Sequence, residues 1–178
     1  MIPQPSPSGL PDTRERFIVH RWDDPVVESL GFAVNSIYTE TVLLPILGPS
    51  ATWCLRRLGA WAEAHPNGVE VDTGELARDL GLGQNLAKNS PINRTLNRLC
   101  QFDMAQWDGT EWLAVRTSVA PIPERQVARL TPAVAHVHHL LVSRAAPAHQ
   151  RAKAMIETAE PIRPPIEPAV TNGAGIGL

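Results

Sequence analysis

Asn97 and Arg98 lie three and four residues after Arg94 and four and three before Gln101, so a helix through them sets all four on one face. Two guanidinium groups and two side-chain amides supply the paired donors and acceptors that match base edges and phosphate oxygens. The opposite face carries Ile92, Leu96 and Leu99, flanked by Thr95 and Cys100. Ser90-Pro91 opens the helix: a hydroxyl that caps free N–H groups, then a proline that the first turn tolerates. Lys88 adds a cation beside that helix start, where free N–H groups favour a phosphate. No acid occurs from Ala87 to Phe102, so Lys88, Arg94 and Arg98 form one positive stretch. The expected chemistry is nucleic-acid recognition, with Arg94, Asn97 and Gln101 on base edges and Lys88, Ser90 and Arg98 on phosphates. The plainer reading is a surface helix of an α+β domain.

The flanking segments position this helix. Met104–Trp107 and Glu111–Val115 read as short strands, and Asp108-Gly109 between them is a hairpin turn. Upstream, Ala51–Glu63 is the cleanest helix, with Cys54, Leu55, Leu58, Trp61 and Ala62 on one side and Arg56, Arg57, Ala60 and Glu63 on the other. Trp53 points away with the arginines and is expected to lie under the N-terminal segment or against a partner subunit. Val69-Glu70-Val71 is a minimal strand. Asp72-Thr73-Gly74-Glu75 reads as a capping box, opening a short helix through Leu76, Ala77 and Leu80 that Gly81 closes. Gly83–Asn89 is a loop.

The order is helix (51–63), strand (69–71), helix (74–80), helix (91–102), strand (104–107), turn, strand (111–117). It resembles the winged helix-turn-helix superfamily of DNA-binding domains over about residues 50–119. Thr73-Gly74-Glu75-Leu76-Ala77-Arg78-Asp79-Leu80-Gly81-Leu82 resembles the first helix and turn of such a motif. Leu44-Pro45-Ile46-Leu47-Gly48-Pro49 looks like the opening of the winged-helix domain of DnaD-type replication proteins. The region 27–129 is similar to small, largely uncharacterised actinobacterial proteins. The resemblance implies that helix 91–102 is the recognition helix, that the hairpin is its wing, and that double-stranded DNA is the partner. A lone short recognition helix implies a homodimer reading two half-sites.

Two departures qualify it. The loop 83–89 makes the turn longer than the usual three or four residues. The hairpin tip, Asp108-Gly109-Thr110-Glu111, is acidic and repelled by phosphate, which argues against wing insertion. Between Ser50 and Ala120 seven cations face eight anions, a net of −1. Such a domain binds non-specific DNA weakly, so affinity must come from the focused charge at 88–98.

Composition sets the frame. A chain of 178 residues with 43% hydrophobic residues fits one compact domain plus tails. Of its 17 prolines, eight crowd the two ends, before residue 12 and after residue 160, which reads as unpacked termini. A net charge of −2 excludes a chain that is basic throughout. No secretory signal is visible, and the most apolar run, Val42–Leu47, is far too short to span a bilayer. Cys54 and Cys100 lean toward apolar faces and read as buried free thiols, which suits a reducing cytoplasm.

Other chemistry is thinner. His136 and His139 share a helix face at i, i+3, but no cysteine lies nearby in sequence and no carboxylate completes a metal set there. With His138 they read as solvent-facing histidines. Asp23-Asp24 reads as a turn. Tyr38 reads as a packed ring with its hydroxyl at the surface. No nucleophile motif, phosphate loop or dinucleotide fingerprint is present, so no enzyme, metal or cofactor is expected.

The expected fold is α+β and mostly helical: a winged helix-turn-helix core with additional N- and C-terminal helices and disordered tails. The expected division is a disordered tail (1–15), an N-terminal extension packing on the core (16–49), the winged-helix domain (50–119), C-terminal helices offering a dimer surface (120–146), and a partly helical, then disordered tail (147–178). The expected function is double-stranded DNA binding by a cytoplasmic transcriptional regulator or chromosome-associated factor. The alternative is the same fold as a protein–protein interaction module without DNA binding.

Overall fold

The computed structural model describes residues 14–158, so the disorder expected for 1–13 and 159–178 lies outside the described residues. The element order is β1 (Arg16–Arg21), α1 (Pro25–Leu30), β2 (Phe32–Ala33), a π-helical stretch (Thr39–Leu43) continuing into α2 (Leu44–Leu47), α3 (Pro49–Ala64), β3 (Val69–Asp72), α4 (Thr73–Asp79), α5 (Pro91–Gln101), β4 (Ala105–Asp108), β5 (Trp112–Val115), β6 (Ser118–Val119), α6 (Glu124–Val127) and α7 (Pro132–Thr158). The fold is α+β, mostly helical, with a small mixed sheet.

Phe17 and Val19 alternate with more exposed neighbours, the period of a strand with one buried face. β1 lies inside the main sheet, whose order is β3-β1-β5-β4. It runs antiparallel to β3, pairing Phe17 with Val71, and parallel to β5, pairing Val19 with Leu113. The segment expected to pack on the core therefore forms part of it. Arg14 and Glu15, expected in the tail, are tied down as well. The Thr73 hydroxyl donates to the Arg14 carbonyl and the Thr73 N–H to the Glu15 carbonyl. The strand expected to run on to residue 117 ends at Val115. Ser118-Val119, expected in a linker, instead pairs with β2.

Local chemistry explains the helix boundaries. Pro45 has no N–H to donate, and just ahead of it the Leu44 N–H reaches back five residues to Thr39 in a π-type turn. Gly48 ends α2 and starts α3 at φ +81, a conformation that favours glycine. The Asp72 carboxylate caps α4 by accepting from the Glu75 N–H at 2.9 Å. Glu75 itself lies 3.7 Å from Arg78. The buried faces of α3 and α5 meet the sheet in one core holding Leu55, Leu58, Ile92, Leu96, Leu99 and Leu113. Each such side chain stabilises the fold by roughly 1.5–3 kcal/mol relative to exposure.

Two expectations at the C-terminal side are corrected. Tyr38 is wholly buried, hydroxyl included: its oxygen accepts from the Ile122 N–H at 2.9 Å and lies 3.0 Å from His138 Nδ1. His138 is accordingly 3% exposed rather than solvent-facing. A buried hydroxyl without partners is costly, and the imidazole supplies one. This pair fastens α7 to the residue that leads into the π-helical stretch. α7 itself continues past Pro147 to Thr158, into the segment expected to be partly helical.

Candidate nucleic-acid interface

α5 forms because Ser90 and Pro91 start it well and its apolar residues recur at helical spacing. Ile92, Thr95, Leu96 and Leu99 are buried, while Arg94, Arg98 and Gln101 are exposed and Asn97 is half-buried. The four polar residues thus share the outer face. The helix ends in a Schellman arrangement: the Met104 N–H bonds the Leu99 carbonyl and the Asp103 N–H bonds the Cys100 carbonyl. Asp103 takes the left-handed position at φ +56, usually a glycine's place.

The six residues singled out by sequence do not all reach the surface in the same way. Arg94 is exposed and, among the described residues, has no carboxylate partner. It borders a cleft of about 370 Å³ with Gly48, Ser50, Leu82, Thr95 and Arg98. Arg98 is already engaged: Nε donates to the Leu47 carbonyl at 2.5 Å and Nη2 to the Ile46 carbonyl at 2.6 Å. These carbonyls belong to the last turn of α2, where no intrahelical donor follows, so the guanidinium acts as a C-terminal cap. Its plane also lies 5.0 Å from the Phe102 ring. Ser90 is 2% exposed and its hydroxyl accepts from the Asn93 N–H at 3.3 Å. A phosphate contact through that hydroxyl is replaced by a helix cap. Lys88 is exposed in the loop ahead of α5, and Gln101 is exposed at its far end.

Asn93 carries a role the sequence reading missed. Its amide donates to the Leu86 and Ala87 carbonyls at 3.1 and 3.0 Å, and Asn85 Oδ1 accepts from the Ala87 N–H. The long loop is thereby folded against the start of α5. An Asn in the first turn beside a long polar loop was the available signal, because its amide can reach back to orphan carbonyls.

The electrostatics sharpen the picture. Arg56 pairs with Glu40 at 2.6 Å, Arg57 with Asp79 at 2.5 Å, and Arg116 with Asp24 at 2.8 Å. Arg116 also donates to the Asp103 carbonyl and lies over the Trp22 ring, so it is a bridge between chain segments. Asp24, expected in a turn, caps α1 through the Val27 N–H. Its carboxyl is held below the usual range by the hydrogen bond from Arg116 first and the Val27 N–H second. Arg94 and Arg98 have no such carboxylate partner among the described residues, so local positive charge persists on the face of α5. The hairpin tip stays acidic and exposed at Asp108 and Glu111.

A second cleft, of about 500 Å³, lies alongside. Trp53, Arg56, Arg57, Trp61 and Asp79 line it, and it shares Pro49 and Ser50 with the first. The described residues leave Trp53 56% exposed, with the Arg56 guanidinium 5.2 Å from its ring. Comparison of the chain with known protein families, curated proteins and solved structures gives no match.

Proposed function

We propose that the protein binds double-stranded DNA through α5, set in a winged helix-turn-helix core made of α3, β3, α4, α5, β4 and β5. On this reading it serves as a transcriptional regulator or chromosome-associated factor in the cytoplasm. The observation that carries the reading is the outer stripe of α5, Arg94-Asn97-Arg98-Gln101, whose arginines have no carboxylate partner among the described residues while Arg56, Arg57 and Arg116 do. Arg94, Asn97 and Gln101 read base edges. Lys88 and Arg98 contact phosphates, Arg98 with the donors its carbonyl bonds leave over. Ser90 acts indirectly, by fixing the helix start. A single 11-residue helix reads few base pairs, so a homodimer spanning two half-sites is part of the proposal, with α7 or the Trp53 cleft as its contact.

Crosslinking followed by sequencing of the recovered DNA identifies the sites. On such a site, Arg94→Ala should cost ~1–3 kcal/mol and relax preference at one base pair. Lys88→Ala should weaken all sequences alike and reduce the salt slope by about one. Unchanged binding in both variants overturns the assignment. The acidic hairpin tip favours a second reading, a protein–protein interaction module. It predicts that the pure chain shifts no DNA at moderate salt.

A further inference from the structure

The histidines of α7 acquire a neighbour that the sequence does not place near them. Glu124, at the start of α6, comes against His138 and His139. One ligand atom from each of the three lies within 4.8 Å of the others. The carboxylate missing from the neighbouring sequence is supplied by Glu124, brought to the two histidines from the start of α6.

His138 is the anchor of the group. It is 3% exposed, and its Nδ1 lies 3.0 Å from the Tyr38 hydroxyl, whose oxygen also accepts from the Ile122 N–H. The direction of the Tyr38–His138 bond follows the imidazole tautomer; with the proton on Nδ1, the hydroxyl oxygen has the two lone pairs needed to accept from both His138 Nδ1–H and the Ile122 N–H. That tautomer leaves the Nε2 lone pair for a ligand. A histidine whose second nitrogen is held by a fixed oxygen is the usual supporting arrangement of a metal ligand. The His139 ring stands edge-on to it, centroids 5.1 Å apart and planes at 71°. His139 and Glu124 are exposed and keep rotamer freedom. Ligand atoms about 2.0–2.2 Å from a tetrahedral ion lie roughly 3.3 Å from one another. The ligand atoms must close from within 4.8 Å, a movement that falls to the two exposed side chains, Glu124 and His139.

We propose that Glu124, His138 and His139 bind a divalent first-row transition ion of the zinc class. Two imidazoles and one carboxylate suit such an ion, and not magnesium or calcium, which favour all-oxygen sets. Three protein ligands leave one position for water or another donor. The ion ties α6 to α7 and, through Tyr38, to the helical stretch beneath them. The proposal is independent of DNA binding.

The test uses the full chain, stripped with a chelator and titrated with Zn²⁺ by calorimetry and with Co²⁺ by visible absorption. One ion per chain is expected, with the intense absorption of a low-symmetry cobalt site and a raised Tm. Glu124→Gln and His139→Ala, both at exposed positions, should leave the metal-free Tm unchanged. Each should weaken Zn²⁺ binding by at least about tenfold, the scale at which even supporting partners act. No binding by the full chain at micromolar Zn²⁺ overturns the proposal. So does binding that survives in the double variant, because it places the ion on other histidines of the chain. DNA binding measured on the metal-free protein stands or falls separately.

Discussion

Three polar residues at and within α5 end up in three different situations, and the groups within their reach decide which. Ser90 turns inward and caps; Arg98 lies along the surface and closes the end of α2; Arg94 keeps its guanidinium in the cleft. Their spacing along α5 was legible in the sequence, but the carbonyls that claim Arg98 come from Ile46 and Leu47, outside any local pattern. The thiols show the same control by environment. Burial pushes Cys54 up to about 12 and Cys100 up to about 11, with Arg57 and Arg14 respectively opposing the shift. At pH 8 the thiolate fraction is then roughly one in a thousand or less. Iodoacetamide at that pH should leave the native protein unlabelled by mass spectrometry and add two groups in denaturant. Cys54 is buried and Cys100 half-buried, and rapid native labelling would contradict this shielding.

At the scale of elements, α3 is the piece against which the others are set. Gly59 sits in its middle, where a Cβ would meet Val34 Cγ2 at 2.7 Å and the Arg116 carbonyl at 3.3 Å. The glycine is there for close approach, since Val34 is fully buried against the helix. Gly59→Ala gains up to about 1 kcal/mol of helix propensity and incurs roughly 1–3 kcal/mol of overpacking. A net loss of about 1 kcal/mol is expected in urea melts, and a stabilised variant would refute the tight contact. Element identities in this region follow from sequence because caps and periodicity are local: Asp72, Ser90 and the Asp108-Gly109 turn each mark a real boundary. Ser118-Val119 had no such signal, because a two-residue strand exists only through its partner, Phe32-Ala33.

For the molecule as a whole, β1 joins what would otherwise be two pieces of sheet. It separates β3 from the β4–β5 hairpin and buries Phe17 and Val19 between them. Those two side chains alone contribute roughly 1.5–3 kcal/mol each. The paired N–H and C=O groups of β3 and β5 would also lose their partners. A chain starting at Asp23 should therefore lose its cooperative thermal transition by circular dichroism. Retention of a sharp transition would show that the sheet closes without β1. α7 is fastened at the other end by the buried Tyr38–His138 contact, so the N-terminal third of the chain organises both ends of the fold.

What the sequence determined by itself is whatever depends on near neighbours: the faces of α3 and α5, the caps, the hairpin turn, and the concentration of positive charge from Lys88 to Arg98. These follow from helical periodicity, from side chains that reach N–H groups two or three residues away, and from charge counted along the chain. The tertiary structure alone decided the inner place of β1, the engagement of Arg98 by the Ile46 and Leu47 carbonyls, the burial of Tyr38 and His138, and the arrival of Glu124 beside two histidines. Each of these joins residues far apart in the chain. Such contacts form only when many apolar side chains are buried together, and no short window of sequence records which partners that collapse selects.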